Sequence, residues 1–155
     1  MPKRIHQIAG ILAPLCIATF FLSTVLVELF GSPAAVAQVK SLIVTPGLWI
    51  LVPAIAAAGG SGFLMARSRR GRLVDGKKRR MPFIAANGLL VLIPCAIVLD
   101  RWAATGLLNS SFYLLQALEL AAGAVNLALM GLNVRDGLRM AGRLRVTPQR
   151  PQVTS

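Results

Sequence analysis

In 155 residues the chain has one histidine, two cysteines and five carboxylates, and charged residues make up only 14% of it. Each scarcity excludes something. A single histidine and two separated cysteines do not supply a metal-ligand set of any recognisable spacing. Soluble domains carry about 25% charged residues, so this chain has too little charge to present a normal aqueous surface. No phosphate-cradling loop is present either. Gly59-Gly60-Ser61-Gly62 lies inside an apolar segment rather than between a strand and a helix, where a nucleotide cradle would need it. No catalytic motif stands out, and the chain reads as non-enzymatic.

What the sequence has in abundance is apolar length: 55% of residues are hydrophobic and the mean hydropathy is +0.68. Four apolar segments run from Ile8 to Phe30, Leu42 to Ala66, Pro82 to Leu99 and Phe112 to Leu132. A helix rises about 1.5 Å per residue, so roughly 20 residues cross a hydrocarbon core of about 30 Å. The third segment reaches that length by continuing through Trp102. Backbone groups in lipid must bond internally, which leaves helices or closed barrels, and the unbroken apolar character excludes the alternation of barrel strands. The expected fold is an all-α bundle of four transmembrane helices, about 8–30, 42–66, 82–102 and 110–134. Residues 1–145 form its one domain, with 135–145 a basic interfacial extension and 146–155 a disordered cytoplasmic tail.

The basic residues set the orientation. Lys3 and Arg4 precede the first segment. Arg67, Arg69, Arg70, Arg72, Lys77, Lys78, Arg79 and Arg80 fill the middle loop, and Arg135, Arg139, Arg143, Arg145 and Arg150 follow the fourth segment. Fifteen bases thus fall on one side, against Lys40 and Arg101 on the other. The positive-inside rule puts both termini and the middle loop in the cytoplasm, consistent with a bacterial inner-membrane protein. A net charge of +12 is then a topology signal, and anionic lipid headgroups are its expected partner. Nucleic acid is not expected, because the bases sit in short loops without interleaved aromatics. Ala35-Val36-Ala37 before Gln38 imitates a signal-peptidase site. The apolar stretch ahead of it is longer than the roughly 7–15 residues of a signal core, so the first segment reads as a span.

The order of residues hints at a duplicated helical hairpin. Arg4, Ile8, Ala9, Pro14, Cys16 and Glu28 are echoed by Arg80, Ile84, Ala85, Pro94, Cys95 and Asp100, and Ala57-Ala58-Gly59 by Ala121-Ala122-Gly123. Cys16 and Cys95 read as small core hydrophobes rather than a disulfide. Glu28 and Asp100 read as solvated helix ends. Pro14, Pro53 and Pro94 each remove a backbone donor and are expected to kink their helices. Close helix packing in lipid needs small residues, and Gly59, Gly60, Gly62 and Gly123 are the expected packing positions.

On the fourth segment Gln116, Glu119, Gly123, Asn126, Met130 and Asn133 recur at spacings of three and four. They form one face, a polar intramembrane seam or partner-binding surface. Glu119 lies about 10 Å below the outer hydrocarbon edge at the helical rise. A carboxylate there costs a few kcal/mol unless it is protonated or paired. No Lys or Arg of the chain lies at a comparable depth, so Glu119 is expected to be neutral or partnered from outside the chain.

Arg4-Ile5-His6-Gln7-Ile8-Ala9-Gly10 resembles the entry to the first helix of small cytochrome b anchors, and the resemblance covers that entry alone. It implies haem b shared with another subunit, with His6 as one of two ligands. Four-helix multidrug transporters are similar in size, but they carry their essential acid in the first helix and lack a loop charge bias. The functional expectation is a non-catalytic accessory or assembly subunit of a membrane complex, or a homo-oligomer, without a cofactor of its own. A small proton- or cation-coupled carrier using Glu119 is the alternative.

Overall fold

The computed structural model describes residues 2–66 and 72–140. Among these the chain is all-helical: α1 Pro2–Phe30, α2 Pro33–Leu42, α3 Trp49–Ala66, α4 Arg72–Asn87, α5 Ile93–Ala104 and α6 Ser110–Met140. They make four lengths long and apolar enough to cross a membrane, His6–Phe30, Pro33–Gly62, Arg79–Ala104 and Ser110–Arg139. That is the mark of an integral membrane protein.

The second span begins well before the expected Leu42, and the reason is local. Ser32 is in extended conformation and its hydroxyl oxygen accepts from the Ala35 N–H at 3.3 Å, while Pro33 occupies the first turn. A serine cap followed by proline starts a helix, because each answers for donors that the first turn leaves unpaired. The apolar run had concealed this start, since Gln38, Lys40 and Ser41 interrupt it. Two other boundaries differ in the same way. Residues 72–81, expected as loop, are the first turns of α4, and α6 continues through Met140. Residues 141–145 of the basic extension and the tail 146–155 lie outside the described residues.

The chain breaks its second span where no kink was expected. Pro14 and Pro53 sit within continuous helices. The interruption is at Ile43–Leu48, where Thr45 has φ −136° and ψ 112°. A residue preceding proline is pushed out of the α region by the ring, and Thr45 precedes Pro46. Gly47 completes the break, since a Cβ there would lie 2.7 Å from the Phe20 ring and 2.9 Å from the Leu42 carbonyl oxygen. Only glycine lets α1 close over this point. The third span is continuous but loosens into a wide turn at Gly88–Leu92. Pro94 comes two residues later, and its ring would clash with the carbonyl four residues back in a regular helix. The wider turn relieves that clash.

α1 packs along α3, and α4 along α6. One apolar core gathers Ala13 and Ile17 of α1 with Leu51 and Ala54 of α3, with Cys16 against it. A second joins Val36 of α2, Leu99 and Ala103 of α5 and Phe112 of α6. Both cysteines are free, Cys95 buried and Cys16 half-buried. Glu28 is not simply a solvated end. Its Oε1 is buried, and no donor among the described residues reaches it.

Candidate functional site

The polar face of α6 is turned into the bundle. Gln116, Asn126 and Asn133 are buried, as is Gly123, while Met130 borders the first apolar core. The stripe extends one turn further than the spacing suggested, to Asp136, which is 2% exposed. The first level of the seam meets α2, and the next two meet α4.

At the first level Lys40 Nζ donates to Glu119 Oε2 at 2.6 Å, with the lysine side chain 1% and the glutamate 12% exposed. This corrects the expectation that Glu119 has no cationic partner in its own chain. The charge bias alone places Lys40 in the loop on the outer side. With the helix beginning at Pro33 it lies two turns inside, about 10 Å along the axis, and Glu119 lies about 13 Å into α6 from the same end. The two helices therefore carry opposite charges to similar depth. A lone charge at mid-helix costs about 2.5–3.5 kcal/mol on insertion scales, and pairing offsets much of that for both groups. Gln116 lies one turn away on the same face, and its Oε1 is buried with no donor among the described residues.

At the second level the amide of Asn87 donates from Nδ2 to Asn126 Oδ1 at 3.0 Å and to the Ala122 carbonyl at 2.8 Å. Asn126 in turn donates to the Ile84 carbonyl at 3.4 Å. Asn126 is fully buried, so these bonds replace water that the interior cannot supply. At the third level Arg80 Nη1 donates to Asp136 Oδ2 at 2.7 Å and to Asn133 Oδ1 at 3.3 Å. Arg135 Nε stands 3.5 Å from the other Asp136 oxygen. Arg80, one of the middle-loop bases, thus also belongs to the seam. Of the remaining middle-loop bases, Arg67, Arg69 and Arg70 lie outside the described residues. Arg72, Lys77 and Lys78 are on α4, and Arg79 on the same helix is exposed.

His6 is placed at the basic end of the bundle, where Nδ1 lies 3.1 Å from Ser61 Oγ and 3.2 Å from the Ala58 carbonyl. The Ser61 hydroxyl itself donates to Ala57. The imidazole thus ties the start of α1 to the end of α3, and its Cε1 lies 3.1 Å from where a Cβ on Gly62 would stand. The expected packing glycines divide. Gly62 faces His6, and Gly123 faces Phe21, whose ring would lie 3.6 Å from an added Cβ. Gly59 and Gly60 meet nothing within 4 Å. The close approach expected at these two is not made among the described residues.

Beside Glu119 the helices leave a cavity of about 50 Å³ lined by Ile17, Phe20, Thr24, Leu51, Ala96 and Gly123 among others. A single water needs a cavity on the order of 10–15 Å³, whereas organic ligands occupy clefts of about 300 Å³ or more. The space beside Glu119 suits one or a few waters and no organic solute. Sequence reasoning misses Lys40, Asn87 and Asp136 as site residues, and it places Arg80 with the headgroup and topology bases rather than at the seam. For Lys40 the Ser32-Pro33 helix start was the available signal; for Asp136 it was the continuation of the three-and-four spacing past Asn133.

No protein-family model matches this chain, and no curated protein and no solved structure matches it.

Proposed function

We propose that this chain is a non-catalytic protein of the bacterial inner membrane, with both termini and the Arg67–Met81 segment cytoplasmic, that works by association. It serves as a small accessory or assembly subunit of a larger membrane complex, or assembles with copies of itself. The observation that carries this reading is the Lys40–Glu119 pair. The deepest carboxylate of the fourth span is neutralised by its own chain, and the cavity beside it is too small for an organic solute. The bundle therefore presents a locked seam rather than an open polar route. Gly59 and Gly60, uncovered among the described residues, offer a neighbouring helix a close approach. Orientation rests on the charge bias. The echo between the two halves, each a pair of spans, supports a duplicated hairpin.

One observation favours a second reading, a proton- or cation-coupled carrier. The second span is interrupted at Thr45, close after Lys40, and transporters bind their ions at interrupted helices. In that reading a proton on Glu119 releases Lys40. The test is composition first: native mass spectrometry of the protein extracted from its own membrane in mild detergent. An accessory subunit comes out with other subunits at fixed ratio, or as a defined homo-oligomer. Purified alone into proteoliposomes, it leaves an imposed proton or sodium gradient undisturbed. Gradient decay that Glu119→Gln abolishes would establish the carrier instead.

A further inference from the structure

Between α4 and α6, toward the basic end of the bundle, lies an open groove of about 340 Å³ lined by Arg79, Arg80, Phe83, Asn87, Val125 and Leu129. From Arg79 to Asn87 it follows one face of α4 for about 12 Å at the helical rise. Phe83 and Val125 are well exposed, so the groove opens sideways to whatever surrounds the bundle. Its depth is apolar, and its charge is concentrated at one end.

That end is not electrically balanced. Arg80 is committed to Asp136 and Asn133, and Arg135 approaches the remaining Asp136 oxygen. Asp136 thus faces two arginines, and among the described residues no carboxylate pairs with Arg79, which is exposed. An excess of positive charge therefore stands over an apolar trough two turns long. We infer that this groove is a binding site for one anionic phospholipid, its headgroup phosphate held by Arg79 and an acyl chain lying along Phe83, Val125 and Leu129. Charge complementarity selects the occupant. A zwitterionic lipid brings a cation of its own to Arg79, a neutral apolar helix leaves Arg79 unmatched, and a free anion gains nothing from the trough. Basic pockets between transmembrane helices at the cytoplasmic face are suited to such headgroups.

The inference goes further than the general attraction of basic loops for a membrane surface, because it assigns one site to one side of one helix pair. It rests on the reading of the chain as a membrane protein and not on its role as a subunit. A lipid preference that persists without co-purifying partners would leave the site standing and remove the role alone.

The experiment uses the full chain, delipidated in neutral detergent, with native mass spectrometry after adding phosphatidylglycerol and phosphatidylcholine of identical acyl chains in equal amounts. Glycerol phosphate serves as the anion without a chain. The expected result is one retained phosphatidylglycerol per chain in preference to phosphatidylcholine, with glycerol phosphate not retained. Arg79→Gln reduces that preference by about fivefold, the equivalent of one basic residue near the surface. Val125→Trp, which fills the trough, lowers retention of both lipids, while Arg101→Gln at the opposite end changes nothing. Thermal unfolding of each variant alongside the parent shows that the bundle still folds. Equal retention of the two lipids, an Arg79→Gln variant with the parent's preference, or equal loss in Arg101→Gln would overturn the site. Retention of glycerol phosphate in place of lipid would make it a free-anion site and overturn the inference as well.

Discussion

Lys40 on α2 and Glu119 on α6, 79 positions apart in sequence, form a buried ion pair of 2.6 Å. Its position decides how the two halves of the chain are joined. α2 belongs to the first hairpin and α6 to the second, so the pair is a charged bond across the bundle, with the lysine side chain 1% and the glutamate 12% exposed. A bond of this kind gains little over a well-packed apolar contact, yet breaking it on one side is costly, because the abandoned charge stays in the interior. Its contribution is specificity of pairing between helices whose remaining surfaces are nearly all apolar.

The first prediction follows from that asymmetry. Lys40→Met and Glu119→Leu should each destabilise the bundle by about 3–5 kcal/mol, while the double variant should regain most of the loss. Glu119→Gln keeps an acceptor for the lysine but strands its charge, and should fall between the parent and Glu119→Leu. Thermal unfolding of the purified protein in one detergent measures all four variants. Additive losses in the double variant would show that the two groups do not depend on each other.

A second prediction concerns the amide level. Asn126 is fully buried and takes part in bonds to Asn87 and Ile84. Interhelical hydrogen bonds in membranes contribute about 0.6 kcal/mol on average and up to about 1.7. Asn126→Leu, which also leaves Asn87 without one of its two acceptors, should cost about 1–2 kcal/mol, near the top of that range. Asn87→Leu should cost less, since Asn126 keeps the Ile84 carbonyl. A reversed order in unfolding temperature would contradict the bonding pattern.

The glycines give a third. Gly47→Ala places a methyl 2.9 Å from a backbone carbonyl oxygen and 2.7 Å from Phe20. The carbonyl has little freedom to retreat, so the variant should lose about 1–3 kcal/mol as an overpacked site does. Gly59→Ala meets open space and should leave the unfolding temperature of the isolated chain unchanged or slightly raised, because alanine favours helix. Gly59→Leu should spare the monomer and reduce oligomer or complex size on gel filtration. A lower melting temperature for the isolated Gly59→Leu monomer would place that face inside the bundle.

Orientation supplies the fourth. In a Cys16→Ser, Cys95→Ser background, Asn109→Cys should react with a membrane-impermeant thiol reagent added to intact cells, and Asp75→Cys should react only after the membrane is opened. Both positions are exposed, so access depends on the side of the membrane. The opposite pattern would invert the topology and defeat the charge-bias argument.

The number of spans, their helical nature and the polar face of the fourth follow from local composition and from a spacing of three and four, which need only the chain itself and the absence of hydrogen-bond partners in lipid. The start of the second span was also written locally, in Ser32 and Pro33, but an apolar run ends at its first polar residues whether or not the helix does. Pairing is of another kind. Lys40 meets Glu119, Asn87 meets Asn126 and Arg80 meets Asp136 only when α2, α4 and α6 share a particular rotation and offset. Those quantities depend on how side chains of different helices interlock, as where Gly47 admits Phe20. No periodicity within one helix records the rotation of its neighbour, and lipid, which solvates every apolar face alike, does not favour one rotation over another. Tertiary packing alone selected which buried charge would find which partner.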